Sequence, residues 1–444
     1  MARINSNVAG TRVPEFTHEG AVAARITPAQ ELRRSVLATL LWEDTFYESG
    51  VDIATRIKDT AAKVDKDTVA NLAVEARTVH GLRHVPLLLL TDLIKRGGTG
   101  VADAITNTVS RVDEITELAA IYWKFNPGKD FSAQMKKGLG QSFNKFNEYQ
   151  FAKYNRDTEV KLRDVLFLTH PKAKSVEQQE LFNKIVNNTL ATPDTWEVNL
   201  SAGNDKKETF ERLIREGKLG YLALLRNLRN MEQAGVDRDL VIAAIKARKG
   251  ADLVFPFRYV AAARAAPSFA NALDKALIEA VTNGKKLPGK TIVVVDTSGS
   301  MYGINVSNKS DIDRVTAAAT LASVINGDDV RVLAFGSSVV ELPHRVGLSG
   351  VESIVKTSLG GTDTRLALDK ANEINKNGNY DRLILITDEQ SHTSYPQMND
   401  FKHKYVINVA NYKNGLGYGD GWVHIDGFSE AVIKYIFAYE EAGF

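Results

Sequence analysis

Thr291-Ile292-Val293-Val294-Val295-Asp296-Thr297-Ser298-Gly299-Ser300 marks the change in character of this chain. Five β-branched residues run into an aspartate and a hydroxyl-rich turn. That is the pattern of a buried parallel strand with a functional loop at its C-terminal end. Downstream the pattern repeats: an amphipathic helix is expected at about 312–325, a strand at 329–335, a helix at 365–376, strands at 382–387 and 404–409, and a helix at 429–441. Such alternation gives a doubly wound parallel sheet that binds ligands at the carboxyl ends of its strands.

Upstream, Leu287-Pro288-Gly289-Lys290 closes a long helical run that begins at Thr27. Thr27-Pro28-Ala29-Gln30 supplies a Thr cap, Pro at the first helical position and the Gln of a capping box. Leu32, Val36, Leu37, Leu40 and Leu41 then form one apolar face, with Arg33 and Arg34 pointing away. Further helices are expected at about 154–167, 176–190, 219–230, 237–248 and 268–283. Helix pairs stacked as degenerate HEAT-like repeats are the natural architecture. Three parts follow: an N-terminal segment 1–26, a helical module 27–290 and an α/β domain 291–444.

Composition narrows the function. The chain has 444 residues, 44% hydrophobic and 25% charged, which is the profile of a soluble globular protein. It has no cysteine, which excludes disulfides and thiolate chemistry and fits the reducing cytoplasm. No apolar run approaches the length of a membrane span, and the N-terminus lacks the apolar core of a secretory signal. The net charge of +2 conceals an asymmetry. From Thr291 onward 13 Lys and Arg face 19 Asp and Glu, a net of −6; the preceding part has 43 basic and 35 acidic residues, a net of +8. A positive helical part suits a polyanion and a negative α/β part suits a cation.

Three loops of the α/β part carry oxygen ligands: Asp296-Thr297-Ser298-Gly299-Ser300, Gly360-Gly361-Thr362-Asp363 and Thr387-Asp388-Glu389. The first and third follow apolar strands, which brings Asp296 and Asp388 to one edge of the sheet. This arrangement resembles the von Willebrand factor A domain, whose five metal-ion-dependent adhesion positions are filled here by Asp296, Ser298, Ser300, Thr362 and Asp388. Three hydroxyls and two carboxylates suit a hard divalent ion, Mg²⁺ foremost, with Mn²⁺ and Ca²⁺ as alternatives. The resemblance implies an open coordination position that takes the carboxylate of an acidic protein ligand. Glu389 and Asp363 are either supporting residues or solvated acids.

The helical part resembles the TROVE module of telomerase-associated, Ro and vault proteins, and TROVE followed by an A domain is the order of Ro proteins. The likeness rests on Leu32-Arg33-Arg34 with Leu41-Trp42-Glu43-Asp44, Met135-Lys136-Lys137-Gly138-Leu139 with Phe143 to Phe146, Lys153-Tyr154, Arg163 to Lys172, and above all Leu222 to Met231. It implies a HEAT-like helical ring followed by an α/β A domain. Where animal Ro proteins have a Gly-rich stretch, this chain has Glu43 to Glu48, which points to a bacterial or phage-type member. Lys153, Arg163, His170 and Lys172 match the family's outer RNA-binding region, and Arg156 is a near match beside Asp157. Lys136, Lys137 and Lys145 extend the basic cluster. Arg226 and Arg229 line the ring or pair with Glu232.

By this resemblance the chain binds structured small RNA of the Y type and single-stranded 3′ ends of misfolded RNA. An exoribonuclease such as polynucleotide phosphorylase is the implied wider partner, tethered through the RNA. No nucleophile elbow, phosphate-binding loop or H-E-x-x-H helix is present, so a non-catalytic protein is expected. The alternatives are a metal-dependent protein-adhesion scaffold without RNA binding, and a metal-dependent hydrolase.

Overall fold

The structure, a computed structural model, describes residues 27–37, 50–155, 157–254, 256–284, 286–305, 312–393, 395–398, 400–410, 421–426 and 431–441. The first helix, Pro28–Leu37, begins as its sequence dictates: the Thr27 amide donates to Gln30 Oε1 at 2.8 Å and the Gln30 amide to Thr27 Oγ1 at 3.2 Å. Leu32, Val36 and Leu37 are buried, while Leu40, Leu41 and the Trp42 to Glu48 stretch lie outside the described residues. Arg33 does not simply point to solvent. Its guanidinium forks onto Glu75 of the Lys66–Thr78 helix at 2.7 and 2.6 Å, tying the first helix to the third.

The helices stack in two rows. Lys66–Thr78, Val101–Thr108, Ala133–Phe143 and Leu162–Thr169 pack in succession along one row, and Gly50–Ala61, His84–Arg96 and Asp113–Phe125 along the other. Gly138 allows one of these contacts, since a Cβ there would lie 2.7 Å from Ile105 Cβ and 2.8 Å from the Ala102 carbonyl. The expected helix at 154–167 is two helices, Glu148–Tyr154 and Leu162–Thr169. The apolar spacing runs through both, but Asn155 caps the first, and the second starts where the Asp164 carboxylate accepts the Lys161 amide at 3.3 Å. The other four expected helices appear as Val176–Asn187, Tyr221–Gln233, Arg238–Ala247 and Ala270–Thr282.

Among the described residues six strands form the C-terminal sheet: β1 (Leu287–Asp296), β2 (Gly327–Phe335), β3 (Val339–Leu342), β4 (Arg382–Thr387), β5 (His403–Asn408) and β6 (Trp422–Asp426). Their order is β3-β2-β1-β4-β5-β6, parallel except for the antiparallel edge strand β3. Leu287 is already in β1, paired with Gly327, so the strand starts before the Pro-Gly punctuation. β3, β6 and the Leu348–Val355 helix were not anticipated, being short segments with little periodicity of their own.

Ile292, Val294, Leu383 and Leu385 pack on one face of the sheet with Ala367, Leu368 and Ala371. On the other face, Val293, Val295, Ile384 and Ile386 share one continuous core with Ala318, Ala322, Tyr259, Leu273 and Leu277. The later helices of the helical part therefore lie over the α/β domain. The Arg314–Val324 helix is caught between, and all 11 of its residues are buried. It is not the amphipathic helix expected at 312–325, because its second face is covered by the helical module. The Pro28–Leu37 helix packs against β6, so the first described helix closes on the last strand.

Candidate metal centre and basic surface

β1 and β4 are adjacent and in register from Thr291↔Arg382 to Val295↔Ile386, so both strands end at the same level. Asp296 stands beside Thr387, whose hydroxyl donates to Asp296 Oδ2 at 2.6 Å. The other oxygen, Oδ1, accepts the Ser298 amide at 2.9 Å, which bends the loop so that Ser298 Oγ lies 3.3 Å from Ser300 Oγ. The Thr362 loop is laced in by main-chain bonds from Gly299 to Gly360 O (2.7 Å), Leu359 to Thr297 O (3.2 Å) and His392 to Thr362 O (3.3 Å). Asp296, Ser298, Thr362 and Asp388 are all buried, and Ser300 is partly exposed.

Burial first, and then the charge of Asp388, push the Asp296 carboxyl well above the ordinary carboxylate range, against the lowering effect of Ser298 and Thr387. A buried carboxyl whose charge is disfavoured by a second carboxylate, with three hydroxyls in the same loops, fits a divalent cation: its charge would offset that repulsion, and its preference is for oxygen. Among the described residues no three His, Cys, Asp or Glu side chains form a metal-ligand cluster, so such an ion would depend on the hydroxyls.

Asp363 and Glu389 are not solvated acids. Asp363 caps the Thr364–Ile374 helix, accepting the Leu366 amide at 3.3 Å, and also accepts the Thr393 hydroxyl at 2.9 Å. Glu389 is buried, has a positive φ of 59°, and meets His424 Nε2 of β6 at 2.7 Å. One charged neighbour was missed altogether. Arg314, buried at the start of its helix, holds a guanidinium nitrogen 3.5 Å from Asp388 Oδ2. The only signal for it in the sequence is a lone arginine opening an Ala-rich helix.

The basic candidates separate into three groups. Arg163, His170 and Lys172 are exposed on and just after the Leu162–Thr169 helix. His170 ends that helix in the left-handed region (φ 46°, ψ 56°), and Pro171 prevents its continuation. Lys136 and Lys137 are exposed on the Ala133–Phe143 helix, one turn before Gly140, which abuts Thr169 and Pro171. Asn144 on the same element donates to the Lys172 carbonyl at 3.2 Å. These five side chains thus stand on neighbouring turns.

Lys153 is set apart: it is half-buried, its ammonium 5.7 Å from the Tyr154 ring, with Arg111 4.6 Å from the same ring. Lys145 has a structural task instead. Its ammonium donates to the Thr106 carbonyl at 2.6 Å and to that of Val109, closing the carbonyl end of the Val101–Thr108 helix. Desolvation there, and then Arg77, lower its pKa despite a partial offset from Glu114. Arg156 lies outside the described residues. Neither Arg226 nor Arg229 pairs with Glu232 among the described residues; instead burial, together with the nearby charge of Arg226, lowers the pKa of Arg258.

A family model for the TROVE domain matches residues 188–318, and one for the von Willebrand factor type A domain matches residues 291–390. Over nearly the whole chain the fold is similar to the crystal structure of the Deinococcus radiodurans RO (RSR) protein, with a TM-score of 0.61 at 15% identity, covering 94% of this chain and 100% of that one. The chain thus carries one segment similar to the TROVE domain and one similar to the von Willebrand factor type A domain, in a fold similar to that of a Ro protein. The chain is also similar to mouse Telomerase protein component 1, 37% identical over 76 residues, and to its rat counterpart, 36% identical over 76 residues. Each of those matches covers 16% of this chain and 3% of the relative. The TROVE match begins after Lys172, so the basic cluster lies N-terminal to the matched segment of this Ro-type fold. No helix among the described residues is long and apolar enough to cross a membrane.

Proposed function

We propose that this Ro-type chain is a non-catalytic RNA-binding protein that holds a structured small RNA, Y-like in kind, on the basic surface of its helical module. The observation that carries this reading is the group Lys136, Lys137, Arg163, His170 and Lys172. It gathers on neighbouring turns, and among the described residues only Arg163 has a carboxylate in ion-pair range, Asp164 at 3.7 Å. Three lysines and an arginine on adjacent turns suit a phosphate backbone, which supplies most of the affinity for RNA, and His170 adds a hydrogen-bonding side chain beside them. In the same proposal the single-stranded 3′ ends of misfolded RNA enter the hole of the helical ring, apart from that outer basic surface. The protein then acts in cytoplasmic RNA quality control, as an adaptor joined through its RNA to an exoribonuclease such as polynucleotide phosphorylase.

In this proposal Ser298, Ser300 and Thr362 hold Mg²⁺ together with Asp296 and Asp388. When bound, the ion supplies an electrophilic position for the carboxylate of an acidic protein ligand.

The test is the salt dependence of RNA binding. Replacing Lys136, Lys137, Arg163 and Lys172 with Gln should weaken binding of a structured RNA and flatten the slope of log affinity against log salt by roughly 0.7 to 0.9 per lost phosphate contact. Lys145→Gln should lower the melting temperature and leave that slope unchanged. Unchanged affinity and slope in the quadruple variant would place the RNA elsewhere.

A further inference from the structure

We propose that Phe167 is a stacking platform for an unpaired nucleobase, so that this surface grips a looped or bulged RNA element and not only a duplex backbone. The inference rests on the RNA-binding reading above and specifies its ligand. The buried face of the Leu162–Thr169 helix is already supplied by Leu162, Val165 and Leu166. Phe167 falls outside that face and is 52% exposed, and among the described residues its ring meets no other aromatic ring.

Its position is specific. Phe167 follows Arg163 by four residues, a spacing that puts the two on one face of the helix about 5 to 6 Å apart, and it lies three residues before His170, which ends the helix in the left-handed region. An exposed aromatic ring therefore lies one turn from a guanidinium, with an imidazole just past the end of the same helix. Leu168, next in the chain, and Val176, at the start of the following helix, are also exposed, at 38% and 72%, and apolar surface alone would suit a protein equally well. Charge decides between them. From Leu162 to Lys174 the chain carries Arg163, Lys172 and Lys174 against the single acid Asp164, while Lys161 is paired with Asp157 at 2.8 Å, so an apolar partner would have to bring negative charge of its own. A nucleotide brings both: its phosphates suit Arg163 and Lys172, and its base has an apolar face that a phenyl ring can cover.

The experiment uses the full chain with two RNA probes, a stem-loop with an unpaired loop and a blunt duplex of matching length. Phe167→Ala should weaken binding of the stem-loop roughly 5- to 150-fold, the range seen when a base–aromatic stack is removed. It should leave duplex binding and the salt slope unchanged, because no phosphate contact is lost. Phe167→Trp should restore stem-loop binding, whereas Phe167→Leu, which keeps apolar bulk without a ring, should not. A 2-aminopurine in the loop should be quenched by the wild type and by Phe167→Trp alone. Wild-type stem-loop affinity in Phe167→Ala, or rescue by Leu, would overturn the stacking proposal and leave RNA binding intact. Failure of the wild type to bind either probe would overturn both. The exposed position makes misfolding of these variants easy to exclude by their melting temperatures.

Discussion

Asp296 answers to opposing influences: burial and Asp388 disfavour its charge, while the Ser298 amide and the Thr387 hydroxyl support it. Its carboxyl titrates above the ordinary range, so without metal the folded state binds a proton that the unfolded state has released. The stability from that protonated carboxyl is therefore complete at acid pH and is lost as pH rises through the folded-state pKa. A divalent ion needs the ionised form. Mg²⁺ affinity should accordingly climb with pH from the ordinary carboxylate range upward, with proton release on binding, measurable by calorimetry in buffers of different ionisation enthalpy. Asp296→Ala or Asp388→Ala should abolish Mg²⁺ and Mn²⁺ binding while the helical module stays folded. Binding that is unaffected by either change would remove the metal assignment.

The Arg314–Val324 helix shows how an element can be read correctly in type and wrongly in environment. Arg-Val-Thr-Ala-Ala-Ala-Thr-Leu-Ala-Ser-Val is dominated by small residues because it has neighbours on both sides, the sheet on one and the Pro256–Ala265 helix on the other. Arg264 of that helix reaches across to Thr316 Oγ1 at 2.7 Å. Ala319→Leu should therefore overpack the layer and cost about 1–3 kcal/mol, seen as a lower urea midpoint at constant m-value. On an amphipathic surface helix the same change would fall within about 0.5 kcal/mol. Near-neutral behaviour would contradict the buried placement.

At the scale of the molecule, the two parts are joined by a shared core. Phe210, Leu228, Tyr259, Leu273 and Leu277 of the helical part belong to the same apolar cluster as Val293, Val315, Ile384 and Ile407 of the α/β domain. The earlier helices, from Leu32 to Ile185, have a core of their own. Separating the chain after Lys290 would uncover apolar surface on both sides. Met1–Lys290 and the remaining fragment should each melt below the intact chain or aggregate, and co-expression should recover a soluble complex. A fragment Met1–Lys290 with the melting temperature of the whole chain would show that the shared core contributes little.

Local rules were enough for much of this. The Thr27 capping box, the apolar strands Ile292–Val295 and Leu383–Ile386, and the convergence of Asp296 and Asp388 follow from hydrogen-bonding chemistry, side-chain period and the topology of parallel sheets, all written in neighbouring residues. The TROVE and A-domain likenesses were legible for the same reason, as motifs of adjacent residues. What only the tertiary structure decided was the use of side chains whose partners are distant in sequence. Lys145 looks like any other basic residue until the Thr106 and Val109 carbonyls are brought to it, and Arg314 until Asp388 is. Whether the outer face of the Ala-rich helix is wet or dry depends on helices some 50 residues earlier in the chain. Charge and apolarity are properties of a residue, but exposure and ion pairing belong to the packed chain, and no local pattern encodes them.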